Sequence, residues 1–131
     1  MPVRTKSLSD RPERKADGLR VLIARFRPRG VAASAESWDA WDKRLAPSQE
    51  LFDAYRGRKR EGGRVTARGL AGISWEEYER RFREEMQGAE AQTALGEWRA
   101  SAQKGPVTLL CHCEDAEHCH RSIVAELLGG S

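Results

Sequence analysis

Two stretches of this 131-residue chain are apolar on both faces, and a strand of that kind has to be covered on both sides. One is Gly18-Leu19-Arg20-Val21-Leu22-Ile23-Ala24-Arg25-Phe26, the other Val107-Thr108-Leu109-Leu110. Such strands belong to sheets with both faces covered, typically parallel ones whose crossover connections lay helices over them. The intervening sequence supplies the helices. Residues Ser34 to Leu45 read as one, with Ser34 as cap, Trp38, Trp41 and Leu45 at helical spacing, and Pro47 preventing continuation. Ser48 caps a short helix carrying Leu51, Phe52 and Tyr55. Ser74 caps a charged helix with Trp75, Tyr78, Phe82 and Met86 on one face, and Ser74-Trp75-Glu76-Glu77 has the form of a capping box. A further helix, roughly Ala89 to Gln103, leads through Lys104-Gly105-Pro106 into the second apolar strand. Ser122 to Leu128 forms the last helix, stopped by Gly129-Gly130, and Val3 to Leu8 adds a third strand at an edge. Helices lying between strands predict a small α/β layered domain with a narrow, mostly parallel sheet.

The length suits one domain spanning residues 1–131, since domains typically hold roughly 100–150 residues. No segment approaches the ~20 apolar residues of a membrane span, and the N-terminus lacks the apolar run of a secretory signal. Three cysteines packed closely together suit reduced thiols or metal ligands better than a disulfide framework. A cytoplasmic protein without a membrane partner is expected. The net charge is only +3, but residues 56–68 hold Arg56, Arg58, Lys59, Arg60, Arg64 and Arg68 against the single acid Glu61. A Gly-rich, basic stretch without apolar periodicity reads as a solvated surface loop, here 56–72. No aromatic residue between Arg56 and Ser74 can stack on a base, so nucleic acid is a minor expectation for this loop. The sequence carries no signal for an oligomeric state.

All three cysteines and all three histidines fall within Cys111 to His120, and Arg121 follows directly. This cluster joins the second apolar strand to the last helix, and ligands of open α/β sheets bind at such strand ends. Thiolates and imidazoles are ligands that zinc and iron prefer. A metal of either kind would be held by Cys113, Cys119, His118 and His120, with Cys111 equally readable as a small core residue ending the strand. The other chemistry is that of a thiol. Cys119 lies at the start of the last helix, where unpaired N–H groups, the dipole and the neighbouring His120 and Arg121 favour a thiolate. Cys113 is then a resolving partner or itself the nucleophile, and Glu114 or His120 moves protons. A tyrosine-phosphatase loop is set aside, because the position six residues before the arginine is Asp115 rather than cysteine. Arg25, Arg27 and Arg29 leave the first apolar strand at its carboxyl end. If the two strands are parallel neighbours, these arginines face the cysteine loop and, with Arg121, clamp an anion.

Arg25-Phe26-Arg27-Pro28-Arg29-Gly30, Trp41 with Leu45-Ala46-Pro47-Ser48, and Leu109-Leu110-Cys111-His112-Cys113-Glu114 with Cys119-His120-Arg121 resemble the family catalogued as domain of unknown function 488, in its cysteine-bearing branch. The resemblance covers nearly the whole chain. Phe26 stands where a tryptophan is common and Phe82 where a tyrosine is common. The resemblance implies a compact, Rossmann-like α/β domain and assigns no reaction. Two functions are therefore carried forward. One is a thiol- or metal-dependent enzyme acting on a small anionic or nucleotide-like substrate. The other is a non-catalytic metal-binding or redox-sensing module with a nucleic-acid or protein partner.

Overall fold

The computed structural model describes residues 3–8, 10–28, 31–111 and 119–129. Four strands form one sheet: β1 (Val3–Ser7), β2 (Leu19–Leu22), β3 (Ala40–Trp41) and, late in the chain, β6 (Val107–Cys111). Their order is β1-β6-β2-β3 and every pairing is parallel, so the domain is α/β and Rossmann-like, with β6 and β2 at the centre. Register places Val21 beside Leu109 and Leu22 beside Leu110. Because side chains alternate along a strand, these rows point to opposite faces. Val21, Ile23, Val107 and Leu109 join the main core, built with side chains of α2 (Gln49–Arg56), α3 (Trp75–Glu85), α4 (Ala89–Lys104) and α5 (His120–Leu127). Leu22, Ala24 and Leu110 turn to the other face, where Leu8, Trp38 and Trp41 cover them.

That second face also buries charge. Arg20 on β2 is wholly enclosed and pairs with Asp17, the last residue of the single-turn helix α1 (Arg14–Asp17), which is also fully buried. Lys6 of β1 reaches the same carboxylate at 2.9 Å, and Thr108 Oγ1 donates to the Asp17 carbonyl at 2.8 Å. The rest of the Arg20 fork is used as well, with Nε donating to the Ser37 carbonyl at 2.6 Å. Enclosed charges are tolerable only when paired and hydrogen-bonded in this way. Burial by itself would raise the Asp17 carboxyl, but the Glu13 N–H, Lys6 and Arg20 outweigh it and hold the group below the ordinary carboxylate value.

The caps at Ser48 and Ser74 form as the sequence predicts, their hydroxyls accepting from the N–H groups of Leu51 and Glu77 at 3.1 Å each. The Glu77 carboxylate engages Arg80 and Arg81. The predicted helix over Ser34 to Leu45 is corrected. Those residues form a 3-10 turn (Ala33–Ala35), the short strand β3 and a second 3-10 turn (Lys43–Leu45). Contacts with β2 override the helical spacing. Asp39 N–H donates to the Arg20 carbonyl at 2.7 Å while its carboxylate takes the Arg20 N–H at 2.8 Å, and Asp42 N–H donates to the Leu22 carbonyl at 2.9 Å. A helix would use these backbone groups internally. Trp41 instead sends its indole N–H to the Ala24 carbonyl at 2.7 Å.

Removing one member of a buried pair leaves the other charge uncompensated, at a typical cost of about 3–5 kcal/mol. Asp17→Asn is therefore expected to lower the urea unfolding free energy by roughly that amount at pH 7. Because the folded carboxyl lies below its unfolded value, its contribution is present above about pH 4 and is lost as pH falls from there toward the folded value. The gap between parent and variant should narrow at pH 3. Equal gaps at both pH values would show that the carboxylate charge is not what stabilises this face.

Candidate functional site

Parallel pairing makes β2 and β6 end side by side, with Ile23 N–H donating to the Leu110 carbonyl at 3.0 Å. The chain beyond β2, Ile23-Ala24-Arg25, thus leaves the sheet next to Cys111. Cys119 is the N-cap of α5, in an extended conformation, and its carbonyl accepts from the Ser122 N–H at 3.2 Å and the Ser122 hydroxyl at 2.8 Å. His120, the first helical residue, turns back across the sheet end. Its Nε2 lies 2.6 Å from the Ile23 carbonyl, which can only accept, so Nε2 carries the proton. In the neutral ring Nδ1 is then the lone-pair nitrogen, and it stands 3.9 Å from the sulfur of Cys111 and 3.9 Å from that of Cys119. The Phe82 ring meets the imidazole edge-on at 5.4 Å.

Cys111, Cys119 and His120 are 4%, 1% and 5% exposed, yet all three line a cavity of about 640 Å³, so a reagent must reach them through it. That volume suits a small-molecule ligand. Aromatic walls come from Phe26, Phe52, Tyr55 and Tyr78, and six lining residues are arginines: Arg25, Arg27, Arg56, Arg58, Arg60 and Arg68. No aspartate or glutamate is among the described lining residues. Local structure already uses three of the arginines. Arg25 Nε donates to the Pro47 carbonyl at 2.7 Å, tying β2 to the start of α2. Arg27 pairs with Glu36 and donates to the Val31 carbonyl at 2.7 Å. Arg60 forms a two-pronged pair with Asp53 at 2.8 and 3.1 Å.

The basic stretch is largely exposed, as predicted, but it is not an irregular loop: it forms an antiparallel hairpin of β4 (Lys59–Glu61) and β5 (Arg64–Ala67). Gly62 and Gly63 both have positive φ, 54° and 80°, as a two-residue hairpin turn of matching twist requires. At its base Gly57 ends α2 with φ 67°, where a Cβ would come within 2.0 Å of the Leu70 carbonyl oxygen. Arg58 directly precedes β4 and lines the cavity together with Arg60 of β4 and Val65, its partner on β5. The Phe52 ring carries two guanidiniums, Arg56 at 5.5 Å and Arg58 at 5.3 Å, while Arg60 lies over Phe26 at 5.4 Å. Burial, followed by the charges of Arg68 and Arg56, pushes the half-buried Arg58 guanidinium below its usual value.

Of the residues singled out in the sequence, Cys119, His120, Arg25 and Arg27 come together at the cavity. Arg121 is buried one position further along α5 and is not among the described lining residues. Cys113, Glu114, His118 and Arg29 lie outside the described residues. Cys111 belongs with Cys119 and His120, their ligand atoms all within 4.8 Å of one another. Sequence reasoning left it open between a ligand and a core residue, because the end of a buried strand looks the same whether it packs or lines a cavity. The cavity arginines of residues 56–68 were missed as site residues too, since a basic run has the same composition whether it is solvated or faces a cavity.

A narrow parallel sheet with a cysteine–histidine site at its strand ends defines the class. Residues 3–130 match the family described as "Active DUF488-N3 subclade", and the chain belongs to that family of domains of unknown function. It is similar to the "Uncharacterized protein YeaO" of Escherichia coli (strain K12), 27% identical over 128 residues that cover 98% of this chain and 97% of that one. It is also similar to the "Uncharacterized protein Rv3073c" of Mycobacterium tuberculosis, 27% identical over 114 residues, 87% of this chain and 83% of the other. No solved structure matches significantly. Among the described residues no helix is long and apolar enough to cross a membrane.

If the Arg60–Asp53 pair docks the hairpin, Asp53→Asn should make the amides of residues 59–67 exchange with deuterium faster while those of β2 and β6 are unchanged. Equal protection of the hairpin in both proteins would mean that the pair does not hold it.

Proposed function

We propose that this chain is a thiol-dependent enzyme acting on a small anionic substrate held in the arginine-lined cavity. Cys119 is the nucleophile, His120 Nδ1 takes the thiol proton, and Cys111 lies close enough to be a second thiol. One observation carries the reading: the Ile23 carbonyl fixes the His120 tautomer, so the basic nitrogen faces two sulfurs inside a cavity rich in cations. A histidine oriented by a third group is the recurring arrangement of activated cysteine nucleophiles. When the imidazole takes the proton, its Nε2–H still has the carbonyl to donate to. The surrounding guanidiniums favour the thiolate over the thiol and attract an anionic substrate to the same place.

A second reading rests on the closeness of the same three donors. Cys111, Cys119 and His120 fit zinc or iron by ligand type, and a histidine ligand whose other nitrogen donates to a backbone carbonyl is the usual supporting arrangement. Three protein ligands leave a further position for substrate, water, or a fourth ligand such as Cys113 or His118. Bound there, the metal would supply Lewis acidity, and the arginines would keep their role toward the anion.

Thiol counting and elemental analysis on the same sample separate the two. The thiol reading predicts no stoichiometric metal and one fast-reacting thiol at neutral pH, lost in Cys119→Ser with the circular dichroism spectrum unchanged. About one zinc or iron per chain, with thiols unmasked only by chelator, would favour the metal. A fast thiol that survives in Cys119→Ser and disappears in Cys113→Ser would move the nucleophile to Cys113.

A further inference from the structure

Among the described residues, no carboxylate lines the cavity to balance its arginines. Arg27 has Glu36, Arg60 has Asp53, and Arg25 spends its donors on backbone carbonyls. Arg56, Arg58 and Arg68 have no carboxylate within ion-pair distance among the described residues, and all three line the cavity. They are also held near one another. Arg56 and Arg58 both lie over the Phe52 ring, and the Arg58 backbone N–H donates to the Asp53 carbonyl of α2 at 2.9 Å. Burial lowers the Arg58 guanidinium most, and the neighbouring charges of Arg68 and Arg56 push it in the same direction. The end of α2 and the base of the hairpin thus bring three cations, without carboxylate partners among the described residues, to the cavity that also holds the cysteine–histidine pair, an arrangement suited to a ligand that brings negative charge.

We infer that the substrate carries a phosphoryl group, gripped by Arg56, Arg58 and Arg68, so that the end of α2 and the base of the β4–β5 hairpin form the recognition arm of the cavity. This rests on reading the cavity as a substrate site. A lone carboxylate would neutralise one of the three cations and offers two oxygens. A phosphoryl or pyrophosphoryl group brings two or more charges and enough oxygens for several guanidinium forks. A small ligand fits better than a nucleic acid, because these cations line the same cavity as Tyr55, Phe26 and Cys119 rather than a separate stripe along the surface. The site also differs from a phosphatase loop: the phosphoryl group is held by the arm as a handle and need not be the group that reacts.

Calorimetric titration of the Cys119→Ser protein with inorganic pyrophosphate, with acetate as comparison, tests this without relying on thiol chemistry. Pyrophosphate should bind at least about tenfold tighter than acetate, as expected for charge-assisted, multidentate contacts. Arg58→Gln should weaken it about tenfold and Arg68→Gln, at an exposed position, severalfold, each with unchanged circular dichroism. Pyrophosphate binding no tighter than acetate, or equally tight in both variants, would overturn the proposal. So would binding of an RNA oligonucleotide in place of pyrophosphate, with affinity falling steeply in salt. Hairpin-dependent pyrophosphate binding by a protein whose Cys119 proves unreactive would keep the recognition arm while removing the proposed nucleophile.

Discussion

The parallel pairing of β2 with β6 is the contact from which the site follows. Two strands distant in sequence end together, so the Ile23 carbonyl, the Cys111 sulfur and the start of α5 converge. An antiparallel arrangement would send Arg25 and Cys111 to opposite ends of the sheet. The pairing is supported on both faces by different means. One face is apolar and takes the main core, while the other holds the Arg20–Asp17 pair beneath Lys6 and Thr108. A buried ion pair is weak evidence for net stability but is costly to break, which makes it a device for specifying one strand arrangement over others.

Much of the fold is legible in the sequence because its signals are local and agree with one another. Runs such as Val21-Leu22-Ile23 and Leu109-Leu110 cannot be solvated, and Ser48 and Ser74 stand where caps must be. Ser34 to Leu45 is unreadable for a physical reason: its helical spacing of Trp38, Trp41 and Leu45 competes with hydrogen bonds to β2 that no local pattern reveals. Tertiary pairing wins because it satisfies the exposed edge of β2.

The site is legible in part. The sequence separates Cys119 and His120 from the rest of the chain by chemistry alone, and the arginines at the end of β2 follow from the strand-end rule. Cys111 could not be told from a packing residue. Nor could the role of residues 56–68 be seen, since a charged run has the same composition whether it is solvated or folded over a cavity. Asp53 makes the difference by neutralising Arg60, and the Phe52 ring gives two more guanidiniums a surface to lie on. The resulting geometry joins a cysteine–histidine cluster at the sheet end to a group of arginines at the end of α2 and around the hairpin.

The central claim is that the Ile23 carbonyl dictates which nitrogen of His120 faces the thiols. Nitrogen-15 NMR of the assigned His120 imidazole reads this directly, since protonated and lone-pair ring nitrogens resonate far apart. The account predicts that Nε2 carries its proton at every pH at which the domain is folded, with any change confined to Nδ1. A neutral ring protonated on Nδ1, with Nε2 bearing the lone pair, would contradict it.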